Sequence, residues 1–278
     1  MQDAFAYCAD LVRQADRERF LAALFAPAEH RGALHALYAF NVEIARVREA
    51  AREVLPGEIR LQWWREVLDG GRGEEAHANP VASALLGTIE RYRLGPPQRL
   101  TALIDAREFD LYDEPMATVA DLESYAASTS SALIALATQI LGADARAAAQ
   151  PAGIAYAITG LLRAFPQHAA RRQLYVPLDL LERFAVDPRA IFVGQTSAGL
   201  NAALGELRAL ARRHLRAAHE QMIGLPAAAL PAFLPVALVR PMLDRLDRCD
   251  AFSPAELSLW RRQWLIWRAA RKPGRIAG

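Results

Sequence analysis

Proline, glycine and capping residues cut this chain into about ten segments, and nearly all of them carry helix-forming residues. Alanine and leucine abound, while the β-branched alternation of strands is scarce, so the fold class read from the sequence is all-α. The early helices are expected at 3–25, stopped by Pro27, at 29–54, stopped by Pro56-Gly57, and at 58–69, ending in Gly70-Gly71. Residues 72–79 read as a polar loop. Pro80 suits the first position of a helix over 80–93, and Gly95-Pro96-Pro97 separates it from another over 98–112. Thr118 and Asp121 have capping-box spacing and open a long helix to 141. Further helices are expected at 151–167, bent or ended by Pro166, and at 178–184, with 171–177 an extended connector before the latter. The remainder falls at 199–223, 227–249 and 254–272, and Pro231, Pro235 and Pro241 should bend or break the middle one.

With 278 residues and 53% hydrophobic content there is material for a large core. No repeat and no linker of disordered composition is visible, so a single domain over 1–278 is expected. The net charge of +2 offers no field for nucleic acid. Cys8 and Cys249 lack CxxC spacing or a neighbouring histidine cluster, which argues against a disulfide framework or a zinc site and for a reducing compartment. The N-terminal stretch has no signal-peptide pattern, and no run reaches the roughly 18 uninterrupted apolar residues of a membrane span. A cytoplasmic setting is the expectation.

Three stretches are too specific to be composition: LFAPAEHRGALHALYAFNVEIAR (24–46), EIRLQWWREVL (58–68) and GIAYAITGLLRAFPQHAARRQLYVPLDLL (153–181). In these the chain resembles the squalene/phytoene synthase family of head-to-head prenyl synthases, over roughly residues 5–215. The resemblance implies an isoprenoid-synthase helical fold around a central cavity. In active members two helices each carry an Asp-xxx-Asp pair. Carboxylates one helical turn apart point the same way and can hold Mg²⁺ against a prenyl diphosphate.

This chain departs from that pattern. The positions matching the first pair are Ala45 and Glu49, and those matching the second are Ala164 and His168. One glutamate cannot supply the several oxygen ligands a hard cation needs, so no catalytic, cofactor or metal residue is assigned and Mg²⁺ enters only under an enzyme reading. Arg163 stands where the family's diphosphate-contacting arginine would lie. With Arg46, Arg171 and Arg172 it could hold an anion or lipid headgroup, or it could instead pair with Glu43 or Glu49.

Other residues in the candidate cavity set have plainer readings. Glu43 interrupts an apolar run, but Arg46 and Glu49 lie within ion-pairing reach on the helix. His168, followed by two arginines, reads as a loop residue more readily than as a ligand. Tyr125 opens a small-residue run, YAASTSS, which permits close helix packing. The acids Asp105, Asp110 and Asp113, and Asp244, Asp247 and Asp250, read as solvated faces with local ion pairs.

Two surfaces stand out. Trp63 and Trp64 are adjacent on a helix and cannot both face one core, so one should be buried and the other open to a partner. In the last helix, Trp260, Trp264 and Trp267 form one stripe beside Arg261 and Arg268, with no acid after Glu256. That pattern fits a basic amphipathic helix over 254–272 lying on an anionic bilayer; the competing reading docks the stripe on the domain.

Within the family, the wording AFNVEIARVRE, EIRLQWWRE and LLRAFPQHAARRQLYVP is similar to the branch containing the mitochondrial complex I assembly factor and its bacterial relatives. The resemblance implies a non-catalytic accessory protein of bacterial type. Its partners would be respiratory complex I subunits or assembly intermediates, met at the inner face of the cytoplasmic membrane. The alternatives are a prenyl diphosphate-using transferase with a rearranged site, and a carrier binding a prenyl or quinone-like lipid without chemistry.

Overall fold

The computed structural model describes residues 2–50, 54–95 and 98–278, and among these every regular element is helical. In chain order they are α1 (Gln2–Ala15), α2 (Arg17–Ala23), α3 (Ala28–Ala45), α4 (Val47–Ala50), α5 (Val54–Leu68), α6 (Gly73–Ala78), α7 (Pro80–Tyr92), α8 (Gln98–Glu108) and α9 (Val119–Ala126). Then follow α10 (Ala132–Ile140), α11 (Arg146–Arg163), α12 (Phe165–Ala170), α13 (Leu178–Arg183), α14 (Pro188–Phe192), α15 (Ala198–Gln221), α16 (Leu230–Phe233), α17 (Val239–Leu246) and α18 (Leu259–Arg271).

The chain forms two compact units. The first gathers Met1–Tyr112, Ala132–Arg146 and Gly224–Leu234; the second gathers Asp113–Ser131, Ala147–Ile223 and Pro235–Gly278. In the first unit α3 packs against α1 and α7. It buries every residue from Ala33 to Val42 and also Ile44, a run that covers its whole circumference, and a helix buried all round belongs in a core. Trp64 of α5 is buried with its ring edge-on to Phe40, centroids 5.0 Å apart, while Trp63 stays half-buried and donates Nε1–H to Glu75 at 3.1 Å. The tryptophan pair therefore splits as its helical spacing predicts.

In the second unit α15 packs on α13 and α17. Arg208 and Arg212 of α15 reach across to α17, contacting Asp247 at 2.8 Å and Asp244 at 3.3 Å respectively. The Thr118–Asp121 capping box is formed in full, with Asp121 N–H donating to Thr118 Oγ1 at 3.1 Å and Thr118 N–H to Asp121 at 3.0 Å. After α9 the small-residue run Ala127–Ser131 widens into one π-turn, in which Thr129 Oγ1 donates back to the carbonyl of Tyr125 at 2.7 Å.

Several boundaries differ from the sequence expectation. The helix expected over 3–25 is two, because the Asp16 carboxylate accepts the Arg19 N–H at 3.1 Å and starts α2. Pro56-Gly57 does not stop a helix; Pro56 sits in the first turn of α5, where a missing N–H costs nothing. The expected end of the preceding helix, residues 51–53, lies outside the described residues, as do Pro96 and Pro97. The loop expected at 72–79 contains α6. The helix expected from Pro151 begins five residues earlier, where Asp144 accepts the Arg146 N–H at 3.3 Å, so Pro151 lies inside it. The stretch 254–258 is not helical, since Ser258 caps α18. Among the prolines of 227–249 the chain breaks into short 3₁₀ and α pieces, as expected. Ala227–Leu246 has the length and composition of a spanning helix, but 67% of its most apolar 18-residue stretch is buried, as in a core segment.

Candidate functional site

Both stretches that matter for synthase chemistry coincide with interruptions of a helix. In the first unit Arg46 leaves helical geometry at φ −101°, ψ 10°, dividing α3 from α4 between Ala45 and Glu49. In the second unit Ala164, at φ −87°, ψ 2°, divides α11 from α12, because Pro166 has no N–H to continue the ladder. Neither pair of positions therefore lies along one uninterrupted helix.

The α3–α4 corner is held by ion pairs. Glu43 is engaged by Arg60 of α5. Arg46 Nε donates to Glu49 at 3.1 Å on an exposed face, and Arg48 donates to the carbonyl of Leu111 at 2.8 Å. Arg46 and Glu49 thus pair within the corner, whereas Glu43 pairs with Arg60 of α5, and Arg48 joins through the Leu111 carbonyl. Behind Glu43 lies Cys8, buried; burial first, and the Glu43 charge second, push its thiol up to about 12.

On the second unit's side, Arg163 ends α11 half-buried, and Arg171 and Arg172 are exposed in the turn after α12, Arg172 with φ 57°. His168 meets the ring of Tyr175 with centroids 4.6 Å apart, and Tyr175 meets Tyr125 at 5.9 Å. Tyr175, in the extended connector, was not singled out by the sequence; its only signal was an aromatic inside a rigid LYVP run. Next to His168 lies a cavity of about 10 Å³ walled by Leu122, Leu162, Phe165 and Leu207, room for one water and no more. This cluster carries an imidazole and two phenols but no carboxylate.

The donor set does not fit Mg²⁺. At the first unit's two positions there is one carboxylate, already engaged by Arg46, and at the second unit's two there is none. Among the described residues no group of three or more His, Cys, Asp or Glu is gathered as a metal would need. Four members of the acidic rows are paired with arginines: Asp105 with Arg65 at 2.9 Å, Asp110 with Arg107 at 3.1 Å, and Asp244 and Asp247 with Arg212 and Arg208; Asp110 is buried rather than on a solvated face as the sequence suggested.

The last helix presents its aromatic stripe outward. Trp260 is 82%, Trp264 51% and Trp267 48% exposed, while the residues it buries are Ile266 and Ala269. Ile266 and Ala269 occupy the inward face, and the tryptophans lie about 100–180° away around the helix. Arg268 stacks over Trp264 at 4.8 Å and Arg271 over Trp267 at 5.1 Å, while Arg262 is drawn inward to Glu256 and the Leu257 carbonyl.

A family model of squalene/phytoene synthase matches residues 12–268, and this chain belongs to that family. It is 32% identical over 275 residues to the "NADH dehydrogenase (ubiquinone) complex I, assembly factor 6" of Rattus norvegicus, covering 94% of this chain and 82% of the relative. A phytoene synthase of Thermus thermophilus is 28% identical, covering 93% and 91%. Among solved structures, a dehydrosqualene synthase in complex with a ligand superposes with a TM-score of 0.83 at 17% identity, covering 97% of this chain and 96% of that one, which establishes the isoprenoid-synthase fold.

Proposed function

We propose that this protein is an accessory factor for the assembly of respiratory complex I, a synthase fold kept for binding rather than for prenyl transfer. The observation that carries this reading is the donor set: Ala45, Glu49, Ala164 and His168 stand where a metal–diphosphate enzyme needs four carboxylates. The name borne by its 32%-identical relatives supports the process. Its partners are subunits or assembly intermediates of the complex, and it acts as a bacterial protein on the cytoplasmic face of the membrane, touching it peripherally. Deleting the protein should lower assembled NADH:ubiquinone oxidoreductase, and tagged protein should retain subunits of that complex. Normal complex levels in the deletion strain, with no subunit retained, would sink the reading. The prenyl-transferase alternative is not favoured. It requires diphosphate release from C15 or C20 prenyl diphosphates with Mg²⁺, lost on Arg163→Ala, and absence of turnover removes it.

A further inference from the structure

A cleft of about 350 Å³ opens in the second unit between α17, α18 and the 3₁₀ turn Pro273–Arg275. Its charged side chains are Arg240, Arg268 and Arg275, with no Asp or Glu among its walls, and Gly278 lines it with its α-carboxylate; Ala237, Leu265 and Ile276 make its floor. Three guanidinium groups against one carboxylate, around an apolar floor, leave an excess of positive charge in the cleft. A second cleft of about 440 Å³ shares Arg240 and adds Arg216 and His219; of its acids, Asp244 is already engaged by Arg212 at 3.3 Å.

The neighbour of this cleft decides its occupant. Arg268 lines it and also stacks over Trp264, so cleft and exposed tryptophan stripe share a side chain. A soluble anion would use the arginines and leave Trp260, Trp264 and Trp267 in water. A bilayer carrying anionic lipid uses both, because planar guanidinium groups match phosphate oxygens while indole rings settle at headgroup level. Of the six cations after Glu256, Arg262 is paired inward with Glu256, and the other five supply complementary charge around the same end of the chain.

We propose that the Arg240–Arg268–Arg275 cleft holds the phosphate of an anionic phospholipid while Trp260, Trp264 and Trp267 seat in the bilayer surface beside it. This names the lipid class for the peripheral membrane contact in the reading above and rests on that placement. The test uses purified full-length protein, phosphatidylcholine vesicles with and without phosphatidylglycerol, and no respiratory subunit. Co-sedimentation should require phosphatidylglycerol and weaken with salt, and brominated acyl chains should quench tryptophan emission. Arg240→Gln with Arg275→Gln should weaken binding by about fivefold per arginine. Trp260→Ser with Trp264→Ser and Trp267→Ser should abolish the quenching, with helical content unchanged in both sets of variants. Arg189→Gln with Arg213→Gln removes the same charge from exposed arginines that line neither cleft and should leave most of the binding.

Equal loss from that control pair, binding without phosphatidylglycerol, or no binding at all would overturn the proposal. Inorganic phosphate raising the melting temperature as strongly as the vesicles would overturn it too, reassigning the cleft to a soluble anion. Vesicle binding with no complex I subunit retained would keep the cleft and remove the assembly role.

Discussion

Gly153 of α11 lies so close to Ser131 that a Cβ at position 153 would stand 2.3 Å from the Ser131 Cα and 2.4 Å from its Oγ. The contact is backbone against backbone, fixed further by the Ser131 hydroxyl donating to the Gln150 carbonyl at 2.6 Å. Neither side has a flexible end that could yield. Gly153→Ala should therefore cost about 3 kcal/mol through forced separation of the π-turn from α11, read as a lower midpoint in urea unfolding. Gly160→Ala, with nothing within 4 Å of its added carbon, is the matched control and should be neutral or slightly stabilising.

Trp64 fills the space between α5 and Phe40 with 1% of its surface exposed. Trp64→Ala should cost about 3–5 kcal/mol by leaving a cavity, whereas Trp63→Ala, which loses one hydrogen bond to Glu75, should cost about 1 kcal/mol. Thermal unfolding of the two variants side by side separates the core tryptophan from the surface one.

His35 stacks on Phe20 with centroids 5.3 Å apart, and its buried Nε2 has no hydrogen-bond partner among the described residues. Burial first, and the Arg31 charge second, lower its pKa to about 4 from 6.5. The unfolded chain thus binds the proton more readily than the folded one. The stabilisation of about 3 kcal/mol is present in full above pH about 6.5 and is lost as pH falls through about 4. Urea unfolding at pH 7 and at pH 4.5 should show this slope in the wild type and a flatter one in His35→Phe.

Burial and the Glu43 charge also determine which thiol reacts. Cys8 is fully buried with its pKa raised, while Cys249 is partly exposed. An aromatic disulfide reagent at pH 8 should titrate one thiol quickly in the native protein and the second only after denaturation. Fast release of both would contradict the packing around α1.

Local chemistry was legible in the sequence wherever one residue type decides the backbone. The Thr118–Asp121 box and the proline breaks across 227–249 formed as their side chains dictate, and helical spacing alone separated Trp63 from Trp64. Signals of comparable local strength were outweighed at Asp16 and Asp144, whose capping roles lay hidden inside helix-forming runs. Groupings made by distant segments left no pattern to read. Tyr175 meets His168 because a connector folds back over α12, and Arg240 joins Arg268 and Arg275 across residues separated by two turns and a helix. Alanine at 45 and 164 was readable, but the interruption of the helix beside each was not.

Each compact unit is stitched from three separated stretches, and the first is complete only with Gly224–Leu234. On the ribosome α2 and α10 therefore wait, lacking the segment that carries α16, until nearly the whole chain has emerged. Truncation anywhere before that point should yield a nascent species that chaperones hold rather than a smaller stable protein, and a premature stop in the last fifth of the coding sequence should be as damaging as one near its start.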